Sequence, residues 1–151
     1  MQNLSYTVTA NWQGGRAGSG SFESQHLRER LAGPTELGGT GAGTNPEELL
    51  VAAAASCLLL TFAAFVERYT LPVSKVELAS KGEFESTTRL RVVRIVHNAV
   101  LWLEQGPESD QAQSTLNMLR RAEQACMVST AIRNNVEVGL DAVVKRAERP
   151  S

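Results

Sequence analysis

From Ser5 to Trp12 apolar and polar positions alternate, with Tyr6, Val8 and Ala10 on one side and Thr7, Thr9 and Asn11 on the other, the period-2 pattern of a strand. The cluster Gly14-Gly15-Arg16-Ala17-Gly18 reads as a turn. Phe22 to Leu31 has room for two more short strands, ahead of an irregular, glycine-rich stretch from Leu37 to Thr44. At Asn45 the pattern changes. Asn45 suits an N-cap and Pro46 the first helical position, and Glu48, three residues after the cap, completes a variant of the capping box. From Leu49 to Val66 no residue is charged and alanine is abundant. The helix is expected to end near Tyr69, before Pro72.

Two strand-like stretches follow, Val73 to Glu85 and Leu90 to Leu103. The alternation of the second slips at Val92-Val93, which predicts a bulge and leaves its faces unassigned. Gln105 to Asp110 reads as a loop, and Asp110 to Ala125 as an amphipathic helix with Ala112, Leu116, Leu119 and Ala122 at helical spacing. Cys126 lies at its end, a short helical turn is expected from Ser129 to Arg133, and Val136 to Val144 alternates as a final strand. There is no internal repeat. The order of strands, long helix, strands, helix and strand indicates an α+β fold, and 151 residues fit one domain spanning 1–151.

The uncharged helix is long enough to raise the question of a membrane span. Weak aromatic and basic flanks and the sheet-like remainder argue against it. A helix apolar all round is otherwise buried on every side, and one small domain can scarcely cover it, so a second subunit is expected to share it. Apolar residues at 42% and charged residues at 21% match an ordinary soluble protein. The net charge of -1, without a basic patch, excludes nucleic acid as a natural partner. MQNLSYTVTA has neither a basic region nor an apolar run, so the expected compartment is the cytoplasm.

Only two cysteines are present, Cys57 and Cys126. In a reducing compartment such a pair is a set of buried thiols, a redox couple or, less often, part of a metal site. Cys57 sits mid-helix between Ala52–Ala55 and Leu58–Leu60. An apolar setting raises a thiol pKa, so reactivity there requires a nearby positive group. Arg16 is a candidate, because a guanidinium stays charged when partly buried, although a solvated turn arginine is the plainer reading of the residue alone. Glu47 and Glu48 both favour the helix dipole; Glu48 is accounted for by the cap, which leaves Glu47 able to hold a guanidinium through a bidentate pair. Glu47 and Cys57 lie roughly 15 Å apart along a helix axis. Two such helices packed antiparallel in a dimer would bring Glu47 of one near Cys57 of the other. His26 and His97 are isolated and make no metal-ligand spacing with the cysteines. The G-x-S-x-G motif is absent, and GGTGAGT lacks the lysine of a phosphate-binding loop.

Three segments, NWQGGRAGSG, ELGGTGAGTNPEELLVAAAASC and RRAEQACMVSTAIRNNVEV, together resemble the OsmC/Ohr superfamily of organic hydroperoxide resistance and osmotically inducible proteins over nearly the whole chain. The resemblance implies antiparallel sheets wrapped around long central helices in an intertwined homodimer, with two active sites at the subunit interface. It implies a peroxidatic cysteine at Cys57, a resolving cysteine at Cys126, an activating arginine at Arg16 and its carboxylate partner at Glu47. The activity implied is thiol-dependent reduction of organic hydroperoxides through a Cys57 sulfenic acid and a Cys57–Cys126 disulfide, reopened by an external dithiol, often a lipoyl group, with no metal or bound cofactor. The alternatives are a module on the same fold that holds a small apolar ligand, and a redox sensor.

Overall fold

Alternation and turn chemistry near the N-terminus build a three-stranded antiparallel sheet, β1 (Thr9–Gln13), β2 (Ser19–Glu23) and β3 (Arg28–Leu31). β1 starts at Thr9, later than the alternation suggests, because its partner ends there: Thr9 pairs with Glu23, and the chain then turns, with the Ser24 N–H donating to the Leu27 carbonyl at 2.7 Å. The computed structural model describes residues 1–104 and 109–146, and the chain divides into two compact units, Met1–Leu49 and Leu50–Ser151.

The helix α1 runs over Pro46–Tyr69. Asn45 Oδ1 accepts the Glu48 N–H at 2.9 Å, and Glu48 Oε2 accepts the Thr44 hydroxyl at 2.8 Å. The capping box is thus a variant, with the carboxylate satisfied by the preceding threonine instead of the cap's own N–H. Helix geometry stops at Thr70, whose φ of 49° is left-handed, just before Pro72.

In the second unit β4 (Val73–Ser86) and β5 (Leu90–Leu103) form a long antiparallel hairpin. Glu83 pairs with Arg94 and Phe84 with Val92, so Val93 is the extra residue of a bulge at the place where the alternation slips. Beyond it one face of β5 is buried without interruption: Ile95, His97, Ala99, Leu101 and Leu103. The chain continues through α2 (Ser109–Ala125) and α3 (Met127–Ile132) to β6 (Glu137–Arg146). β6 joins the sheet parallel to β5, so this sheet is mixed where antiparallel pairing was expected throughout. Parallel neighbours require a crossover, and α2 with α3 supplies it. The loop expected over 105–110 falls largely outside the described residues, and α2 begins at Ser109. α3 starts earlier than Ser129, because the Cys126 carbonyl already accepts the Thr130 N–H at 2.9 Å.

Leu58 and Phe62 of α1, Ala99 and Leu101 of β5, and Leu119 and Ala122 of α2 form one buried cluster. Ala54, Ile95 and Val136 form a second. The opposite side of α1 has no cover among the described residues. Ala52, Ala53, Ala63 and Ala64 are exposed, and Leu60 is 73% exposed. Burial on every side is therefore not achieved by one chain. Phe62→Ala removes the largest side chain of the main cluster and is expected to cost about 3–5 kcal/mol, read as a lowered urea midpoint at unchanged slope.

Candidate active site

Cys57 lies beside Leu58, at the edge of the buried stripe of α1, and is half-buried. Cys126 is fully buried at the corner between α2 and α3, in extended backbone with φ −62° and ψ 122°. Its N–H donates to the Glu123 carbonyl at 3.2 Å, and its own carbonyl accepts the Thr130 hydroxyl at 2.9 Å. That corner sets Cys126 beside Cys57, near enough for each thiol to shift the ionisation of the other. The two cysteines are free thiols.

Their ionisation is pushed in opposite directions. Burial works against the Cys57 thiolate, but hydrogen bonds from the Cys126 thiol, the Val128 N–H, the Thr61 hydroxyl and the Met127 N–H outweigh it and bring Cys57 below the ordinary thiol value. Burial pushes Cys126 up, and its hydrogen bond to Cys57 holds its proton in place. Between the two, Cys57 is the thiol that ionises first. A thiolate is the nucleophilic form of cysteine, so Cys57 is the better-placed nucleophile of the two, with a second thiol beside it. The donors that lower Cys57 within the chain are neutral.

Arg16 sits in the β1–β2 turn of the first unit and is exposed. Gly14 takes φ 91° there, and Trp12 Nε1 donates to the carbonyls of Gly14 and Gly15, each at 3.2 Å, which braces the turn. The Arg16 side chain lies over Gly38, where a Cβ would come within 2.9 Å of Arg16 Cδ. Glu47 belongs to the same unit. Neither Arg16 nor Glu47 takes part in an ion pair among the described residues. Glu47 Oε2 is buried and accepts no hydrogen bond from the described residues, an expensive state for a carboxylate oxygen. The first unit also carries an apolar groove of about 600 Å³ lined by Val8, Trp12, Phe22, Leu27, Leu31 and Leu49.

Sequence reasoning missed several groups. Thr61 follows Cys57 by one helical turn, so its place on the same face was readable from spacing. The N–H groups of Met127 and Val128 had no signal, because backbone donors carry no residue code. Ser129 is buried with its hydroxyl against Cys126. His26 is exposed, whereas His97 is fully buried on the core face of β5, with Nδ1 2.6 Å from Ser80 Oγ. Burial lowers the His97 pKa, opposed by the charge of Glu123, so the ring is neutral.

Only thiolates alkylate. The pH profile of Cys57 alkylation is therefore expected to turn on below the free-thiol value of about 8.5, and that of Cys126 above it. Thr61→Val removes one donor to the thiolate and moves the Cys57 profile to higher pH, while Thr61→Ser keeps it in place. Iodoacetamide labelling across pH, read by peptide mass spectrometry, checks both.

A family model described as OsmC-like protein matches residues 39–141. The uncharacterized protein YmaD of Bacillus subtilis (strain 168) is 35% identical over 146 residues, covering 96% of this chain and 97% of that protein. An organic hydroperoxide resistance protein of Xanthomonas axonopodis pv. citri is 30% identical over 141 residues, covering 92% of this chain and 95% of its own. Among solved structures, an organic hydroperoxide resistance protein OsmC from Legionella pneumophila matches with a TM-score of 0.73 at 28% identity, over 94% of this chain and 100% of that one.

Proposed function

We propose that this chain, which belongs to the OsmC-like protein family, is a single-domain, cytoplasmic thiol peroxidase that reduces organic hydroperoxides to alcohols through Cys57 and Cys126. The observation that carries the reading is the contact between the two thiols, with Cys57 held below and Cys126 above the ordinary thiol pKa. Relatives named for organic hydroperoxide resistance, one of them at 30% identity, support the substrate class.

In this mechanism the Cys57 thiolate attacks the terminal peroxide oxygen. The O–O bond breaks, the alkoxide leaves and takes a proton from solvent, and Cys57 becomes a sulfenic acid. Cys126 condenses with it to a disulfide and releases water. A dithiol of the lipoyl kind reopens the disulfide by exchange. Arg16 steadies the thiolate and the peroxide oxygen, and Glu47 orients its guanidinium through a bidentate pair. The unpartnered, buried Glu47 carboxylate oxygen supports that pairing.

The working form is a homodimer. The exposed, uncharged face of α1 supports it: Ala52, Ala53, Leu60, Ala63 and Ala64 are apolar surface that monomers rarely leave open. A second reading, a carrier of a small apolar ligand, draws on the groove lined by Trp12, Phe22 and Leu27. A third, a redox sensor, uses the same thiols once per signal and not in turnover.

Peroxide consumption with a dithiol separates the three. Cys57→Ser is expected to abolish turnover, and Cys126→Ser to react once and stop with Cys57 as sulfenic acid or a higher oxide. Arg16→Ala slows reduction, and Arg16→Lys does not restore it fully, since one ammonium cannot reproduce the planar fork. Equal steady-state rates in wild type and Cys57→Ser would defeat the proposal. For assembly, Leu60→Glu places a charge on the open face of α1, and sedimentation is expected to turn a wild-type dimer into a monomer or an unfolded chain.

A further inference from the structure

The segment around Cys126 contains two residues that the peroxidase chemistry leaves unused, Glu123 and Arg133. Cys126 is the lone non-helical residue between α2 and α3. Rotation about its two backbone dihedrals alters the angle between the helices and swings the thiol with it. The corner is tied from outside. Arg133 Nη2 donates to Glu123 Oε1 at 2.6 Å and to the Glu123 carbonyl at 3.4 Å. The same carbonyl accepts the Cys126 N–H at 3.2 Å. The guanidinium therefore spans from the end of α3 to the last turn of α2, across the cysteine. Glu123 is 9% exposed, while the Arg133 side chain remains 40% exposed. Solvent screening at the arginine end makes the pair a modest source of stability. What it supplies is orientation, because one guanidinium nitrogen, Nη2, donates to both the carboxylate and the backbone carbonyl of the same residue and so ties the end of α3 to a fixed point on α2.

We infer that the Glu123–Arg133 pair is a positioning clamp that holds the Cys126 thiol in line with Cys57 for disulfide closure. The inference rests on the peroxidase reading, in which Cys126 captures the Cys57 sulfenic acid. In that step the Cys126 sulfur attacks the Cys57 sulfur, the S–O bond breaks, and the hydroxide leaves as water with the Cys126 proton. The sulfenic sulfur is reduced and the thiol sulfur oxidised, so no further reagent is needed. Closure competes with a second hydroperoxide, which carries Cys57 on to the sulfinic acid. By keeping the buried thiol aligned, the clamp decides that competition. Glu123 and Arg133 touch no reacting atom and act only through the placement of Cys126.

The test uses the full chain and two oxidants, cumene hydroperoxide and diamide, the latter activating one thiol and being displaced by the other. Arg133→Ala is expected to close the disulfide about 10- to 100-fold more slowly with both. Under hydroperoxide it accumulates Cys57 sulfinic acid at concentrations that leave the wild type as disulfide, while the first consumption of hydroperoxide is unchanged. Glu123→Gln is expected to show the same partition, and Arg133→Lys, which keeps one donor on the carboxylate, to recover part of the closure rate. A urea titration controls for folding, and if Arg133→Ala does not fold, the Lys and Gln variants carry the test. Wild-type closure rates with both oxidants, without extra sulfinic acid, in the folded variants overturn the clamp. If the wild type consumes no hydroperoxide, the peroxidase reading fails, and the diamide rates still decide the clamp: slowed closure supports it and wild-type closure overturns it.

Discussion

Ala54, Leu58 and Phe62, one turn apart on α1, press against the buried face of β5, and the second unit is organised by that contact. Once this stripe is seated, the rotation of α1 is set, and Cys57 falls at the margin of the core, neither sealed in nor fully in water. Leu119 and Ala122 seat α2 in the same cluster. The end of α2 then delivers Cys126 to Cys57. The thiol pair is thus a consequence of core packing, and interiors packed near crystal density leave little slack in it.

The electrostatics follow from the same arrangement. A thiolate in an apolar environment is unfavourable unless hydrogen bonds meet it. Here they come from one hydroxyl, two backbone N–H groups and the second thiol. Each donor is neutral, and the two backbone N–H groups belong to the first turn of α3. The split in ionisation between Cys57 and Cys126 is one hydrogen bond seen from its two ends, favouring the acceptor as thiolate and the donor as thiol.

Among the described residues, the apolar face of α1 stays open and the Glu47 carboxylate oxygen has no partner. They differ in kind, one a hydrophobic and one a hydrogen-bonding deficit, and both are costly to leave in place. The homodimer proposed above would answer both at once, which is why the assembly and the role of Arg16 and Glu47 belong to one hypothesis.

Much of the architecture was legible in the residues. The Asn45-Pro46-Glu48 cap, the uncharged run to Val66, Pro72 and the slip at Val92-Val93 determined where α1 begins and ends and where β5 bulges, because caps, prolines and side-chain period act locally. The two cysteines and their flanking motifs pointed to the family. Other features lay beyond local rules. The parallel pairing of β6 depends on the path of a crossover, and the burial of His97 on the face that β5 turns to α1 and α2. The donors at Met127 and Val128 are backbone atoms that any residue would supply, so no pattern announced them. Glu123 and Arg133 are ten residues apart with no spacing that pairs them, and the corner at Cys126 folds one onto the other. Sequence by itself determined the local elements and singled out the two thiols; tertiary packing decided which atoms meet, because proximity between Cys57 and Cys126 is a property of the core between them and not of either segment.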